Sequence, residues 1–350
     1  MIRVGIIGAT GYAGIDLVRL ILNHPHAAIE WVTSESYKGQ KLSDVYPHLA
    51  GRTDLICSEM DLKKLAPKVD VIFIALPNGM AMSLAPAVVE AGKKVIDMGA
   101  DFRLKDPDLY KKWYGDVHSS TKLLKQAVYG LPELHREEIA QASVVGNPGC
   151  YPTASILGLA PLMAQGIVEL DSIIVDAKSG VSGAGRTASL HTHFSEANEA
   201  ISAYKVASHR HTPEIEQELS ALAGEKFSLT FTPHLVPMTR GILATLYAKR
   251  SAARKNSSPL TVAQLESDYR AFYKDSPFVR IQKELPTTKQ VSGTNYCDIA
   301  IRLDEATQRI IVLSVIDNLV KGAAGQAVQN LNLMFGLPEN SGLTQSTIYP

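Results

Sequence analysis

Apolar, mostly β-branched residues run nearly unbroken from position 2 to position 7 and stop at Gly8, which predicts a strand buried on both faces. Similar runs at 29–33, 69–76, 94–98 and 143–145 predict further strands. Helices are predicted between them, over 11–23 until His24-Pro25, and over about 80–91 after the turn Pro77-Asn78-Gly79. Strands alternating with helices give an α/β fold with a Rossmann-type, doubly wound parallel sheet. The pattern fades after Asp101, and the charged stretch from 105 to 125, with Trp113 and Tyr114, is assigned to no element.

The second half reads differently. Strand-like segments at 172–176, 228–236, 242–249, 295–303 and 309–316 predict an α+β domain with a mixed, mostly antiparallel sheet. Helices over 153–163, 213–222 and 261–274 accompany it, and the polar, basic segment 251–259 reads as a surface loop. Asp317-Asn318 forms an N-cap pair for a last helix over about 320–335, which stops at Gly336 with Pro338 beyond. The Gly322-Ala323-Ala324-Gly325 face of that helix lacks bulk, so it can lie close to another backbone or to a cofactor.

Composition narrows the possibilities. At 350 residues the chain is long enough for two domains with separate cores. Its 35 basic and 35 acidic side chains cancel, which removes the electrostatic argument for nucleic acid or an anionic membrane as partner. No apolar run approaches the roughly 20 residues of a transmembrane helix. The start runs straight into a strand, with the shape of neither a signal nor a transit peptide, so a cytoplasmic location is expected. Three distant cysteines give neither a disulfide framework nor a metal-ligand spacing, which fits a reduced compartment.

Five motifs carry candidate chemistry. Gly8-Ala9-Thr10-Gly11-Tyr12-Ala13-Gly14 lies between a strand and a helix, where glycines admit a pyrophosphate and the helix N-terminus supplies donors. At the end of the second strand, Ser34, Ser36 and Lys38 offer hydroxyls and a cation, which favours NADP over NAD although Glu35 is present. Leu76 and Pro77, at the end of another parallel strand, join the cofactor set.

Cys150, in Gly146-Asn147-Pro148-Gly149-Cys150-Tyr151-Pro152-Thr153, stands at a strand-to-helix turn where a thiolate is stabilised. Cys57 and Cys297 lie in ordinary strand-like stretches and read as structural. In Ser208-His209-Arg210-His211-Thr212-Pro213-Glu214, Thr212 reads as an N-cap and Pro213 as the first helical residue. The chain before the helix is expected to be extended, so that His209 and His211 face one way, with Glu214 available to orient an imidazole. Lys178 to Arg186 is a Gly/Ser loop with flanking cations, able to cradle a phosphate through its amides; Ser179, Gly180, Ser182 and Gly183 are its candidate cofactor contacts. Arg103, after a parallel strand, offers a fork for a carboxylate or phosphate or else a structural pair with Asp101; Asn147 and Arg186 complete the candidate substrate set.

On these motifs, with Pro233-His234-Leu235-Val236-Pro237-Met238 and Asn318-Leu319-Val320-Lys321-Gly322-Ala323, the whole chain resembles the N-acetyl-γ-glutamyl-phosphate reductases of arginine biosynthesis. The wider group includes aspartate-semialdehyde and glyceraldehyde-3-phosphate dehydrogenases. In the aspartate enzymes the cysteine follows Gly-Asn directly, so the intervening Pro148-Gly149 favours the glutamyl-phosphate branch.

The resemblance implies NADPH as cofactor, a Cys150 thioester, and a histidine acid/base, His209 being favoured and His211 the alternate. It also implies a 179–186 loop beside the cofactor, Asn318 near the nicotinamide, and a homodimer or homotetramer built on the antiparallel sheet. The corresponding domains are 1–148 for NADP, 149–317 for catalysis and oligomerisation, and a helix in 318–350 that returns to the first. Two rivals are the same chemistry on a carrier-bound aminoadipyl or glutamyl phosphate, and a non-catalytic NADP sensor; the second leaves Cys150 and the histidines unexplained.

Overall fold

The computed structural model of the protein describes residues 1–251 and 260–349; the expected loop at 251–259 lies, past Ser251, outside the described residues. The chain divides into two compact units, one of residues 1–148 and 323–344, the other of 149–322 with the tail from 345.

In the first unit, strands β1 (Ile2–Ile7), β2 (Ala27–Thr33), β3 (Cys57–Ser58), β4 (Val71–Ile74), β5 (Lys94–Asp97), β6 (Val128–Tyr129) and β7 (Val144–Gly146) form one sheet. Its order is β3-β2-β1-β4-β5-β7-β6 and every pairing is parallel. The chain builds outward from β1 to β3, then returns to β1's other side with β4. That reversal leaves a crevice beyond the carboxyl ends of β1 and β4, the usual ligand position in such sheets. The strands are apolar throughout because helices cover both faces: α1 (Tyr12–Ile21), α2 (Ala81–Glu90), α3 (Pro107–Tyr114), α4 (Pro132–Gln141) and, from the far end of the chain, a helix over Gly325–Met334. Ile72, Ile74, Val95, Val144, Phe102 and Tyr110 belong to one buried cluster.

The unassigned stretch 105–125 contains α3 and a single turn over Thr121–Leu124. The ends of α3 are well signalled. The Asp106 carboxylate accepts from Asp108 N at 2.9 Å, Pro107 takes the first position, and Gly115 closes the helix at φ +89°. Its apolar stripe is short, Leu109, Tyr110, Trp113 and Tyr114, and only Tyr110 in it is fully buried, with Leu109 and Tyr114 packed on the same core.

In the second unit, strands β8 (Val168–Gly180), β9 (Ser202–Ala203), β10 (Thr230–Val236), β11 (Ile242–Arg250), β12 (Val279–Ile281), β13 (Cys297–Asp304) and β14 (Arg309–Ile316) form a sheet in the order β12-β13-β14-β11-β8-β10-β9. β8 pairs parallel with β10, and β12 with β13; the other four pairings are antiparallel. Helix α5 (Cys150–Gln165) packs on β11 and β14, and α6 (Thr212–Ala223) packs on α5. From Tyr151 to Met163, α5 is buried without a break, as befits a helix apolar on all sides. It lies close to the sheet because Gly158 has no Cβ; an added one would overlap the Leu246 side chain and come within 3.2 Å of Ser314 Cβ. Helix α7 (Val262–Phe272) also packs against α5, and the last helix, Gly325–Met334 of the first unit, is α8.

The sheet alternates. Val175, Ala177, Ala244 and Leu246 are fully buried, whereas Ile174, Asp176, Thr232, His234, Tyr247 and Arg309 line a shallow depression on its other face. No helix among the described residues is long and apolar enough to cross a membrane.

Candidate active site

Cys150 is the first residue of α5, with Gly149 as N-cap and no side chain capping the helix. The amides of a helix's first turn and its dipole favour negative charge there, so the position suits a thiolate. Cys150 is half-buried, whereas Cys57 and Cys297 are fully buried and burial pushes the Cys57 thiol up.

Two contacts fix Gly149. Its N–H donates to Glu214 Oε1 at 2.8 Å, and its carbonyl accepts from Thr153 N at 2.9 Å and Thr153 Oγ1 at 3.0 Å. A side chain at 149 is excluded by the His211 imidazole, whose Cδ2 would stand 2.8 Å from a Cβ there. The buried Glu214 therefore holds the backbone in front of the cysteine, in addition to any part in orienting an imidazole.

The histidine motif turns instead of running extended: Thr212 N donates to His209 O at 3.0 Å. His211, not Thr212, is the N-cap of α6, and Pro213 is the second helical residue. The turn still brings the imidazoles together, with centroids 4.7 Å apart and His211 N donating to His209 Nδ1 at 3.1 Å. Their surroundings differ. His209 is 8 % exposed and sits edge-on to Tyr151, Tyr204 and Phe231. Burial, helped by the nearby charges of Lys205 and Arg210, lowers its pKa to about 4, so it is neutral at pH 7. His211 is half-buried and stands against Gly149, one residue from Cys150.

The His209 shift has a sign for stability. With a folded value of about 4 against 6.5 for the free group, the unfolded chain takes up the proton first as pH falls. The stabilisation is complete above pH 6.5 and lost toward pH 4, an effect of up to about 3 kcal/mol. Urea unfolding of wild type and His209→Gln at pH 7 and pH 4.5 should show a smaller pH dependence in the variant; equal dependence would refute the assignment.

The Gly/Ser loop after β8 differs from the expected phosphate cradle. Gly180 N donates to Gly241 O (2.9 Å), Val181 N to Met238 O (2.9 Å) and Ser182 N to Thr239 O (3.1 Å). Those three amides are closed to a phosphate, because the loop is clasped to the β10–β11 turn. Asn318 completes the clasp: its Oδ1 accepts from Gly241 N at 2.7 Å and its Nδ2 donates to Ser182 Oγ at 3.0 Å. Ser179 Oγ donates to Gly180 O, while Gly183 and Arg186 are exposed.

In the first unit, Gly8 has φ +85°, and a Cβ there would overlap Ala75 O and reach 3.0 Å from Leu76 Cδ2. A Cβ on Gly14 would lie 2.9 Å from Ala9 Cα. These two glycines close the turn upon itself. Gly11 is different: it is the N-cap of α1, yet a Cβ on it would meet nothing nearer than Gly8 O at 3.8 Å. Space is thus left over a helix N-terminus that no side chain caps, beside Tyr12 and Ala13, and it fits a pyrophosphate. Gly11→Leu should therefore leave the melting temperature nearly unchanged while weakening dinucleotide affinity at least about tenfold; unchanged affinity by fluorescence titration would contradict this placement.

Of the hydroxyls beyond β2, Ser34 is buried and bonded to Thr10 Oγ1 at 2.7 Å, so it braces the loop, while Ser36 is exposed. Lys38 is exposed and ion-paired with Glu59 at 2.6 Å. Pro77 is exposed and Leu76 half-buried beside Gly8.

Two expected substrate contacts also have partners within the protein. Arg103 is buried, donating through Nε to Asn147 O at 2.7 Å and through a terminal nitrogen to Met98 O at 3.2 Å. Asn147 is buried with both arms engaged, donating to Ala323 O at 3.0 Å and accepting from Asn330 at 3.0 Å. Both residues thus set the path of the segment that leads toward Cys150.

The sequence offers Asp101 only as a partner for Arg103, not as the centre of a network. Asp101 accepts from Gly79 N (2.7 Å), Met82 N (3.0 Å) and Tyr110 OH (2.7 Å), tying the loops after β4 and β5 together. The adjacent Asp97 accepts three backbone amides, and burial beside Asp101 raises its pKa to about 7. The signal was two aspartates at the end of one strand.

Comparison with known proteins identifies two family domains in the chain. Residues 3–142 match the NAD binding domain of semialdehyde dehydrogenases, and residues 150–318 match their dimerisation domain. A protein of Symbiobacterium thermophilum called N-acetyl-gamma-glutamyl-phosphate reductase is 57 % identical, over all of this chain and 99 % of that one. One of the same name from Desulforudis audaxviator is 54 % identical over the full length of both. Among solved structures, aspartate semialdehyde dehydrogenase II of Vibrio cholerae superposes with a TM-score of 0.71 at 18 % identity, covering 96 % of this chain and 99 % of that one. The Candida albicans aspartate semialdehyde dehydrogenase with NADP gives 0.72 at 16 %, covering 96 % and 98 %. At such identities these two structures speak for the fold.

Proposed function

The chain belongs to the N-acetyl-γ-glutamyl-phosphate reductase family, and from this we propose that it reduces N-acetyl-L-glutamyl 5-phosphate to the 5-semialdehyde, with NADPH as reductant and release of phosphate, in arginine biosynthesis. The observation that carries the reading is a half-buried cysteine at a helix N-terminus with an imidazole packed on the residue before it.

When bound at the Gly8–Gly14 loop, NADPH supplies the hydride. Ser36 and Lys38 are the exposed groups available to its 2′-phosphate, Lys38 by exchanging Glu59 for it. The remaining chemistry falls to the chain's own residues. The Cys150 thiolate attacks the acyl-phosphate carbonyl, the C–O bond to phosphate breaks with its electron pair, and a thioester forms. After reduction, the oxyanion takes a proton from the acid/base to give a thiohemiacetal, and returns it to the same group as the carbonyl is regenerated. The C–S bond breaks, and the thiolate returns.

The packing supports His211 as the group that moves these protons, through Nε2, and supports His209 as its buried neutral neighbour. Glu214 holds Gly149, and Arg103 and Asn147 hold the segment before it. Self-association as a homodimer, or a homotetramer built from two, would use the half-exposed sheet face around Ile174 and Tyr247, and the thiol chemistry suits the cytoplasm.

The deciding measurement is semialdehyde formation from N-acetylglutamyl phosphate by the purified chain, compared with aspartyl phosphate and a carrier-linked substrate, using NADPH and NADH. Better turnover of either competing substrate would sink the substrate assignment, and equal affinity for the two dinucleotides would sink the cofactor assignment.

A further inference from the structure

The small-residue run at 322–325 has so far no part in the chemistry. It overlaps a single turn of π-helix, Val320–Ala324, which is wider than an α-turn. Gly322 N donates to Asp317 O at 2.9 Å, the five-residue reach that defines such a turn. The turn is anchored at its base by the fully buried Asp317, whose carboxylate accepts from Leu319 N (2.8 Å), Val320 N (3.1 Å) and Gly293 N (2.7 Å). Turns of this kind recur at functional sites, where they displace the backbone locally.

Here the displaced backbone meets the nucleophile. A Cβ on Gly322 would lie 2.7 Å from Cys150 Cβ, 3.1 Å from Cys150 Cα and 3.3 Å from Ile316 Cδ1. The first two atoms belong to the start of α5 and cannot swing aside as the tip of a long side chain can. An added methyl must therefore move the cysteine or the turn.

We propose that Gly322 is a positioning residue: the π-turn presses its bare Cα against Cys150 and so fixes where the sulfur stands in front of the acyl carbonyl. The inference rests on Cys150 being the nucleophile. It adds that the nucleophile is aimed from behind by the last segment before α8, as well as from its own helix.

Gly322→Ala is the test. It should lower kcat about a hundredfold, the effect of displacing a reacting group by about an ångström, with the KM for NADPH unchanged. It should also slow alkylation of Cys150 by iodoacetamide, followed by mass spectrometry, with buried Cys57 and Cys297 as unreactive internal references. A double-mutant cycle guards against a folding defect. The melting temperature should drop on Gly322→Ala in wild type and much less in the Cys150→Gly background, where the methyl meets no Cβ. If Gly322→Ala does not yield soluble protein, Cys150→Gly should restore it. Turnover and alkylation within twofold of wild type, or the same loss of stability in both backgrounds, would overturn the proposal. Retained turnover in Cys150→Ser would instead remove the reading on which it rests, so the two failures are distinct.

Discussion

Cys150→Ser should abolish NADPH-dependent reduction of the acyl phosphate, by about 10⁴-fold or more, while the dinucleotide still binds. A serine hydroxyl at a helix N-terminus remains protonated at neutral pH, and no attack on the acyl phosphate means no thioester. The folded chain should tolerate the change, since serine is nearly isosteric and Cys150 is only half-buried. Dinucleotide affinity should hold because the Gly8–Gly14 loop belongs to the other compact unit. A burst of labelled thioester in wild type, absent from the variant, checks the step directly. Variant turnover above about one per cent of wild type would remove Cys150 from the reaction.

The second large effect distinguishes the imidazoles. His211→Asn should lower the chemical rate by about 10²–10⁴, the usual contribution of a positioned acid/base. His209→Asn should cost less, because that ring is wedged among three aromatic rings and touches the site through His211. The pH–rate profile adds a separate readout. His211→Asn should remove the limb of the acid/base, whereas His209→Asn should only displace it. The opposite ranking would return the role to His209, the residue favoured by sequence alone. Chain order does not decide this, because residues 209–212 turn where their pattern predicts extended backbone.

What the sequence made legible follows from periodicity. Continuous apolar runs ending at glycine marked the parallel strands, and alternation marked β11, β13 and β14 within a residue or two. Short helices such as α3, whose stripe spans barely two turns within a charged stretch, are harder to read from periodicity. Residue chemistry was legible and pairing was not. Arg103, Asn147 and the amides of Gly180 to Ser182 are the right groups to hold an anion, but each has a partner within the protein. Sequence shows which groups are able to bind; only the fold shows which are already engaged.

The chain's division into units bears on how the protein is made. The first unit is completed by residues 323–344. Bonds, two of them buried, tie that late segment to early ones: His24 to Asn332 at 2.9 Å, Asn330 to Gly130 O at 2.9 Å, and the part-buried Arg136 to Glu339 at 2.6 Å. During synthesis the seven-stranded sheet must therefore wait, with one flank uncovered, while the 149–322 unit emerges and has the chance to fold first. Contacts so far apart in sequence are slow to close. The nascent dinucleotide unit is thus the part most exposed to misfolding, and a ribosome that stalls before codon 323 releases a sheet that cannot be finished.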